Sequence, residues 1–428
     1  MGNKAFIAEF NAEEKYKTGE EYSLPSFSFP GKMADSLYDG MDGLLLCMLE
    51  EGDSLITKYK LPSKYLTYWK NNFFDFNNIG LLNETDLDDK NVYQLIGESQ
   101  ETCKLLEGKT LVEYSNNPDY CLLVSKNSAF ETPIDPEIIR TINKKSFSNT
   151  LKLKYGLNGV GIYVTSIEAF ELEAKGLLNT SGKILIKDSL GVSGKGIQII
   201  ESEMQIERLV KHFKKQSESG KQIFDFVIEP YLNKMIDFSC HFYIDKNGNT
   251  TIQGYQKNNN KGFAYKESVS LDDAELLLIE SSEYKSAIHT VSKELFEMGY
   301  NGFVCVDSMI LENNEIIEIV EINPRMSMAR FNLNMQKMVG RSCCLTYSDV
   351  SFTNDYYVDD LLDELYKNNL LYLKGGKGVV PLAPGTWTIH RFEGNKGIKL
   401  RAYYLIVYDS EDEMKSIREF INDLLNKK

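Results

Sequence analysis

The sequence predicts an α/β (α+β) chain of several domains, and three observations carry that prediction. From about residue 160 onward, apolar runs of strand length alternate with amphipathic helical stretches. Residues 183–200, "KILIKDSLGVSGKGIQII", read as a strand ending in a lysine, a loop of small residues and a second strand. Residues 302–324 read as two strands, "GFVCVDSMIL" and "IIEIVEINP", joined by the tight polar turn "NNE", with carboxylates set inside apolar runs. With 428 residues, 42% of them hydrophobic, the chain can bury cores for about two to four domains or subdomains.

Taken in order, the first 140 residues hold the short strand candidates "KAFIAEF", "GLLLCML" and "YCLLVS", linked by polar, aromatic-rich connections such as "KYLTYWKNNFFDF". "SFSFPGK" reads as a loop. Helices are predicted over 94–106 and 136–154. "EMQIERLVKHFKKQ" is amphipathic, and "FDFVIEPYL" is an apolar strand entering a turn. "SCHFYID" and "TIQGYQ" flank "KNGN" as a hairpin, whereas the polar "KNNNKGFAYK" (257–266) reads as a loop, either substrate-facing or plain surface. Residues 272–299 form a long helical stretch stopped by Gly299, and the tail is a strand, "RAYYLIVY", followed by a helix whose acidic-to-basic order suits its dipole.

Composition excludes several classes. A net charge of −14 argues against nonspecific nucleic-acid binding. No run reaches the roughly 18 apolar residues of a membrane span, and the N-terminus lacks a secretory apolar core, so a cytoplasmic protein with neither nucleic-acid nor membrane partners is expected. Seven scattered cysteines without Cys-x-x-Cys fit reduced thiols, and four separated histidines offer no zinc spacing. The adjacent Cys343 and Cys344 read as buried packing rather than catalytic thiols, and His241 as a satisfied core histidine.

Three separated segments suit one task, holding a nucleoside triphosphate with magnesium. Lys187 supplies a cation at a strand end, and the loop with Gly191, Ser193, Gly194 and Gly196 lets backbone N–H groups approach phosphate oxygens. Asp307 and Glu321 supply hard oxygen ligands for Mg²⁺, with Mn²⁺ as the alternative ion, and the Asn323 carbonyl adds another. Arg325 stands ready to neutralise a transferring phosphoryl group or an anionic substrate, and Ser327 and Arg330 follow either as substrate contacts or as loop-stabilising residues. Glu318 lies on the opposite face of the strand from Glu321 and reads as solvated.

The pattern resembles the ATP-grasp superfamily over residues 145–330: "ILIKDSLGVSGKGI" is similar to its strand–lysine–glycine-loop element, and "VDSMILENNEIIEIVEINPR" to its metal-binding hairpin. The resemblance implies a second nucleotide lysine, Lys145, with Lys144 as rival, from a lysine eleven residues before Gly156. It also implies a hinge strand, "FVIEPYL", meeting adenine through Glu229 and Leu232, and a ribose-binding acid at Asp237 where the family usually has Glu. The implied layout is a pre-ATP-grasp domain over 1–140, a lid subdomain with the glycine loop over 141–230, a metal and nucleotide core over 231–345 and a small C-terminal α/β domain over 346–428.

The outer segments resemble a subgroup of peptide ligases of antibiotic assembly and amino-acid ligases acting on acyl carrier proteins. That implies a carboxylate–amine or carboxylate–thiol ligase, in which ATP and Mg²⁺ activate an amino acid or peptide-like acid as an acyl phosphate, with Lys187 and Arg325 as catalytic cations. A phosphotransferase and a non-catalytic nucleotide-binding module are the alternatives. Residues 365–401 carry seven Lys or Arg against one acid, which reads either as a solvated face or as a docking patch for an acyl carrier protein.

Overall fold

In a computed structural model the described residues are 4–11, 15–17, 22–25, 37–83, 90–116, 118–126, 133–191, 196–221, 223–351, 356–388 and 399–426. The segment "SFSFPGK" lies outside them. Three sheets organise the chain.

The first is parallel, in the order β3-β2-β1-β4, from β1 (Lys4–Ile7), β2 (Ser54–Tyr59), β3 (Asn77–Leu82) and β4 (Thr110–Glu113). Two stretches read as strands here are helical. "GLLLCML" lies in a 3₁₀ segment, Met41–Met48, buried at every position, and "YCLLVS" lies in the helix Pro118–Lys126. A short apolar run buried all round has no periodicity to separate the two states, and Pro118 sits at the first helical position, where proline is favoured. The aromatic connection "KYLTYWKNN" is likewise helical (Ser63–Asn72), because Tyr65, Tyr68 and Trp69 bury one face. The expected helix over 94–106 is broken at Ser99, which caps the second half, and that over 136–154 is broken at Lys144.

The second sheet is antiparallel, β5-β8-β6-β7, from β5 (Ile162–Val164), β6 (Ile184–Asp188), β7 (Ile197–Ile200) and β8 (Phe226–Pro230). The helices Ile167–Ser181 and Glu203–Glu218 cover it, with Phe170 and Phe213 packed against Phe224 and against Phe226 of β8. The β6–β7 hairpin closes through Asp188 N–H to the Gly196 carbonyl at 2.9 Å. Gly196 has φ +87°, and a Cβ there would lie 2.9 Å from that of Asp188, so only glycine fits.

The third sheet has eight antiparallel strands in the order β13-β12-β9-β10-β11-β14-β16-β15. They are β9 (Lys234–Ile244), β10 (Thr250–Lys261), β11 (Ala264–Val269), β12 (Gly302–Leu311), β13 (Ile316–Asn323), β14 (Ser342–Ser351), β15 (Gly378–Leu382) and β16 (Lys399–Tyr408). The stretch 257–266, read as a loop, is the β10–β11 hairpin, in which Asn258 pairs with Ser268. The predicted long helix over 272–299 is two, Asp273–Ser281 and Tyr284–Glu297.

The segment from 346 does not build a sheet of its own. β14 to β16 extend the third sheet, and the C-terminal apolar residues share one core with the N-terminal Leu44–Leu49 and Trp69. Phe73 stacks on Tyr372 at 5.2 Å between ring centres, and Tyr65 and Tyr68 donate to the carbonyls of Pro381 and Tyr372.

Gly254 sits at a bulge in β10 with φ +145°, and a Cβ there would lie 3.0 Å from Leu333 of the helix Met328–Val339. Gly254→Val therefore combines backbone strain with overpacking, and urea unfolding should show a loss of about 2–4 kcal/mol.

Candidate functional site

A cleft of about 410 Å³ opens between the second and third sheets. One wall carries Lys187, Glu229 and Leu232, and the other Asp237, Asp307, Glu321, Asn323, Arg325 and Ser327. Strands β6 and β8 position the first wall. Lys187 comes at the end of an apolar strand, is 4% exposed, and ion-pairs with Glu229 on β8. Glu229 also takes an ion pair from Lys152 at 3.0 Å. Burial alone would raise the Glu229 pKa, but the two ammonium groups outweigh it and hold the carboxyl below its usual range. Burial, with Lys187 nearby, lowers the Lys152 pKa despite that partner.

Strands β12 and β13 build the second wall. Their register sets Asp307 opposite Glu321 and Cys305 opposite Asn323. Asp307 accepts from Ser239 Oγ at 2.6 Å and from Asn323 Nδ2 at 3.0 Å. Burial pushes its pKa up to about 6, with the Ser239 hydrogen bond and Arg325 opposing and Glu321 adding to the rise. A buried carboxylate beside a second one is stabilised by an added cation. Among the described residues no three His, Cys, Asp or Glu side chains close round one point. The donors present are two carboxylates and a carboxamide, all oxygen, which suits a hard ion that keeps water and phosphate oxygens as its other ligands.

Lys145 opens the helix Lys145–Tyr155, is 5% exposed, and reaches Glu321 Oε1 at 3.0 Å and the Gly191 carbonyl at 2.5 Å. It thus ties the start of the glycine loop to the β13 acid, while the rival Lys144 pairs with Asp225 at 3.2 Å. Ser193 and Gly194 lie outside the described residues. Asp237 lines the cleft, ion-pairs with Lys234 and accepts from Asn260 Nδ2 at 2.9 Å. The Asn323 carbonyl oxygen expected on a metal accepts from Arg325 Nη2 at 3.1 Å, and Ser327 caps its helix by accepting from the Arg330 N–H. Arg330 does not line the cleft but lies buried beside it. Glu318 points away and accepts from the Asn158 N–H at 3.1 Å.

Four residues escaped the sequence reading. Tyr114, at the end of β4, holds Arg325: Ser115 bridges Arg325 backbone to backbone, and the Arg325 guanidinium carbon lies 5.8 Å from the Tyr114 ring centre. Ser239 and Asn258 chain to Asp307 from β9 and β10. Lys152 lies seven residues after Lys145, two turns along one helix face, a spacing that could have pointed to it.

His241 is fully buried, but among the described residues neither ring nitrogen has a hydrogen-bond partner, which departs from the satisfied core histidine expected. All seven cysteines are free, and Cys343 and Cys344 are fully buried with thiol pKa values raised by burial. In the basic stretch, Lys377 pairs with Asp409 and Glu413, and Arg401 pairs with Asp349 over the Tyr347 ring. No helix among the described residues is long and apolar enough to cross a membrane.

Residues 171–331 match the family model of the carbamoyl-phosphate synthase L chain, ATP binding domain. The match spans the glycine-loop hairpin, the hinge strand and the acidic hairpin. Solved structures similar over nearly the whole chain include N5-carboxyaminoimidazole synthetase from Staphylococcus aureus complexed with ADP, at 13% identity and TM-score 0.52 over 97% of this chain and 96% of that one. Another is the biotin carboxylase domain of Hydrogenobacter thermophilus 2-oxoglutarate carboxylase with MgADP and bicarbonate, at 13% identity and TM-score 0.57 over 98% and 90%.

The chain has the ATP-grasp fold. Its first sheet comes before the matched residues in sequence, its second sheet carries Lys187 and its third carries Asp307 and Glu321. Among curated proteins, a relative in sequence is the [butirosin acyl-carrier protein]–L-glutamate ligase of Niallia circulans, 23% identical over 201 residues. That match covers 46% of this chain and 46% of the relative, so the matched part is less than half the length of either.

Proposed function

We propose that this chain is an ATP- and Mg²⁺-dependent ligase that activates the carboxylate of an amino acid or peptide-like acid. The observation that carries the reading is the convergence of Lys187 and the Asp307–Glu321–Asn323–Arg325 set on one cleft from sheets that are remote in sequence. A carboxylate is a poor acyl donor at neutral pH because oxide leaves badly. Attack of its oxygen on the γ-phosphorus, with cleavage of the bond to the ADP oxygen, yields an acyl phosphate. An amine or thiol then displaces phosphate.

In this reading Lys187 and Lys145 hold the phosphate oxygens, and Glu229, Leu232 and Asp237 hold the nucleoside. Glu229 does so as an ion-paired carboxylate, which fixes its orientation on β8. Asp307, Glu321 and Asn323 would hold Mg²⁺, which neutralises charge on the β- and γ-phosphates when bound. Arg325, steadied by Tyr114, faces the transferring phosphoryl group. Acyl phosphates hydrolyse in water, so turnover requires that water be kept from the cleft while the intermediate stands. The catalytic work is positioning and charge neutralisation, and the buried cysteines take no part.

The acceptor is an amine or the thiol of a carrier protein, in the setting of antibiotic-type natural-product assembly. The relative named for a carrier-protein ligase supports the thiol route. With Lys377 and Arg401 neutralised locally, a carrier would dock through the rest of 365–401 or another surface. ADP release screened across amino acids, with amines or a phosphopantetheinylated carrier as acceptor, tests the reading. The expected result is acid-dependent ADP and phosphate, with mass gain on the carrier marking the thioester route. A stable phosphorylated product without free phosphate would make the protein a phosphotransferase, and nucleotide binding with no turnover on any acid would make it a binding module.

A further inference from the structure

The cleft face of the third sheet continues past the acidic pair. Side chains alternate along β9 and β12, and the register pairs Asp307 with Ser239, then Cys305 with His241, then Phe303 with Tyr243. These rows are about 6.6 Å apart, two strand residues each. The helix Met328–Val339 lies against this side of the sheet, allowed in by Gly254, and brings Arg330 over the Phe303 ring at 4.9 Å.

Charge is unbalanced at this end. Arg330 is 6% exposed, and among the described residues its Nε and Nη1 have no hydrogen-bond partner and no carboxylate pairs with it. His241 is 0% exposed and has no hydrogen-bond partner on either ring nitrogen among the described residues. Burial drives the His241 pKa well below its usual value, and the Arg330 and Lys337 cations drive it further. Cys305, the electrostatic neighbour of Arg330, also lines the cleft, as does Ala329, the residue before Arg330. A desolvated guanidinium without an anion is among the costliest groups to bury, and its planar fork matches a carboxylate.

We propose that Arg330, with His241 beside it, receives a second carboxylate of the acid substrate. The molecule activated in the cleft is then a dicarboxylic acid, held by one carboxylate at Arg330 while the other reacts at the Asp307–Arg325 end. The spacing of one to two rows suits a short diacid chain. The part about reaction rests on the ligase reading, whereas the binding part stands without it.

The test is calorimetry and thermal melting without nucleotide, using glutarate and butyrate, which share a chain length to within one carbon but differ by a carboxylate. Wild-type protein should bind glutarate at least tenfold more tightly than butyrate and melt higher in its presence. Arg330→Met should lose that preference without lowering the melting temperature of the ligand-free protein, because it removes an unpaired buried charge. Arg330→Lys should retain part of the preference. Equal binding of the two acids by wild type overturns the subsite, as does an Arg330→Met protein that keeps the preference. A ligand-free melting loss in Arg330→Met with preference intact would make Arg330 structural and also overturns it. Arg330-dependent glutarate binding with no ADP release from any acid would sink the ligase reading alone. ADP release driven by monoacids, with no glutarate preference, would sink the subsite alone.

Discussion

Lys187→Met should lower acid-dependent ADP release by about 100-fold or more and weaken MgATP binding in calorimetry, in a protein that still folds. The size follows from removing a fixed cation from a desolvated site, where one such group contributes about 10²–10³ in rate. Folding survives because of the local charge balance. Lys152, Lys187 and Glu229 together carry one net positive charge, and deleting Lys187 leaves Glu229 with Lys152 at 3.0 Å rather than orphaned. Methionine fills the aliphatic volume of the lysine stem at a position only 4% exposed. Lys152→Met makes the contrast, since Lys152 is absent from the cleft wall and also donates to the Gly159 carbonyl at 2.6 Å. Its effect should fall mainly on the melting temperature. Near-normal turnover in Lys187→Met would mean that the phosphates are held elsewhere.

How much of this site could be read from the sequence depends on how local each signal is. Lys187 and the glycine loop are contiguous, and Asp307, Glu321, Asn323 and Arg325 fall within one hairpin, so strand alternation alone places them on a face. The supporting groups are another matter. Asn258 meets Ser239 within the β9–β10 hairpin, but Ser239 reaches Asp307 only because β9 pairs with β12, the two residues 68 positions apart, a pairing no local pattern specifies. Tyr114 meets Arg325 across two sheets, 211 positions apart. The fold shows the same division. From 160 onward the alternation matched most elements, though 272–299 is two helices, whereas "GLLLCML" and "YCLLVS" misled because a short apolar run does not show the period that separates helix from strand. The polar run 257–261 misled in the opposite sense. Its asparagines sit on β10, with Asn258 and Asn260 turned to the cleft, so a strand facing a polar site lacks the apolar face by which strands are recognised.

Glu321→Gln should raise the Mg²⁺ concentration needed for half-maximal ADP release by about 100-fold, while nucleotide still enters the cleft. Loss of an outer-shell partner costs a metal site about 10–100-fold, and a direct ligand belongs at or above the top of that range. Glutamine keeps the shape and one acceptor oxygen, so the β12–β13 register, with Asp307 opposite, has no reason to shift. What changes is charge. Asp307, raised to about 6 by burial and by Glu321, loses the neighbour that helps raise it and ionises more readily, so it remains as the single carboxylate at the site. At the same time Lys145 exchanges its ion pair at 3.0 Å for at most a neutral amide acceptor beside the Gly191 carbonyl, which leaves its cation less neutralised within the phosphate-binding region. The two consequences pull apart in measurement. Metal affinity should fall, and affinity for free ATP, without metal, should hold or rise. A variant in which both fell together would place Glu321 on the nucleotide rather than on the ion. A variant in which neither changed would remove the acidic hairpin from the chemistry.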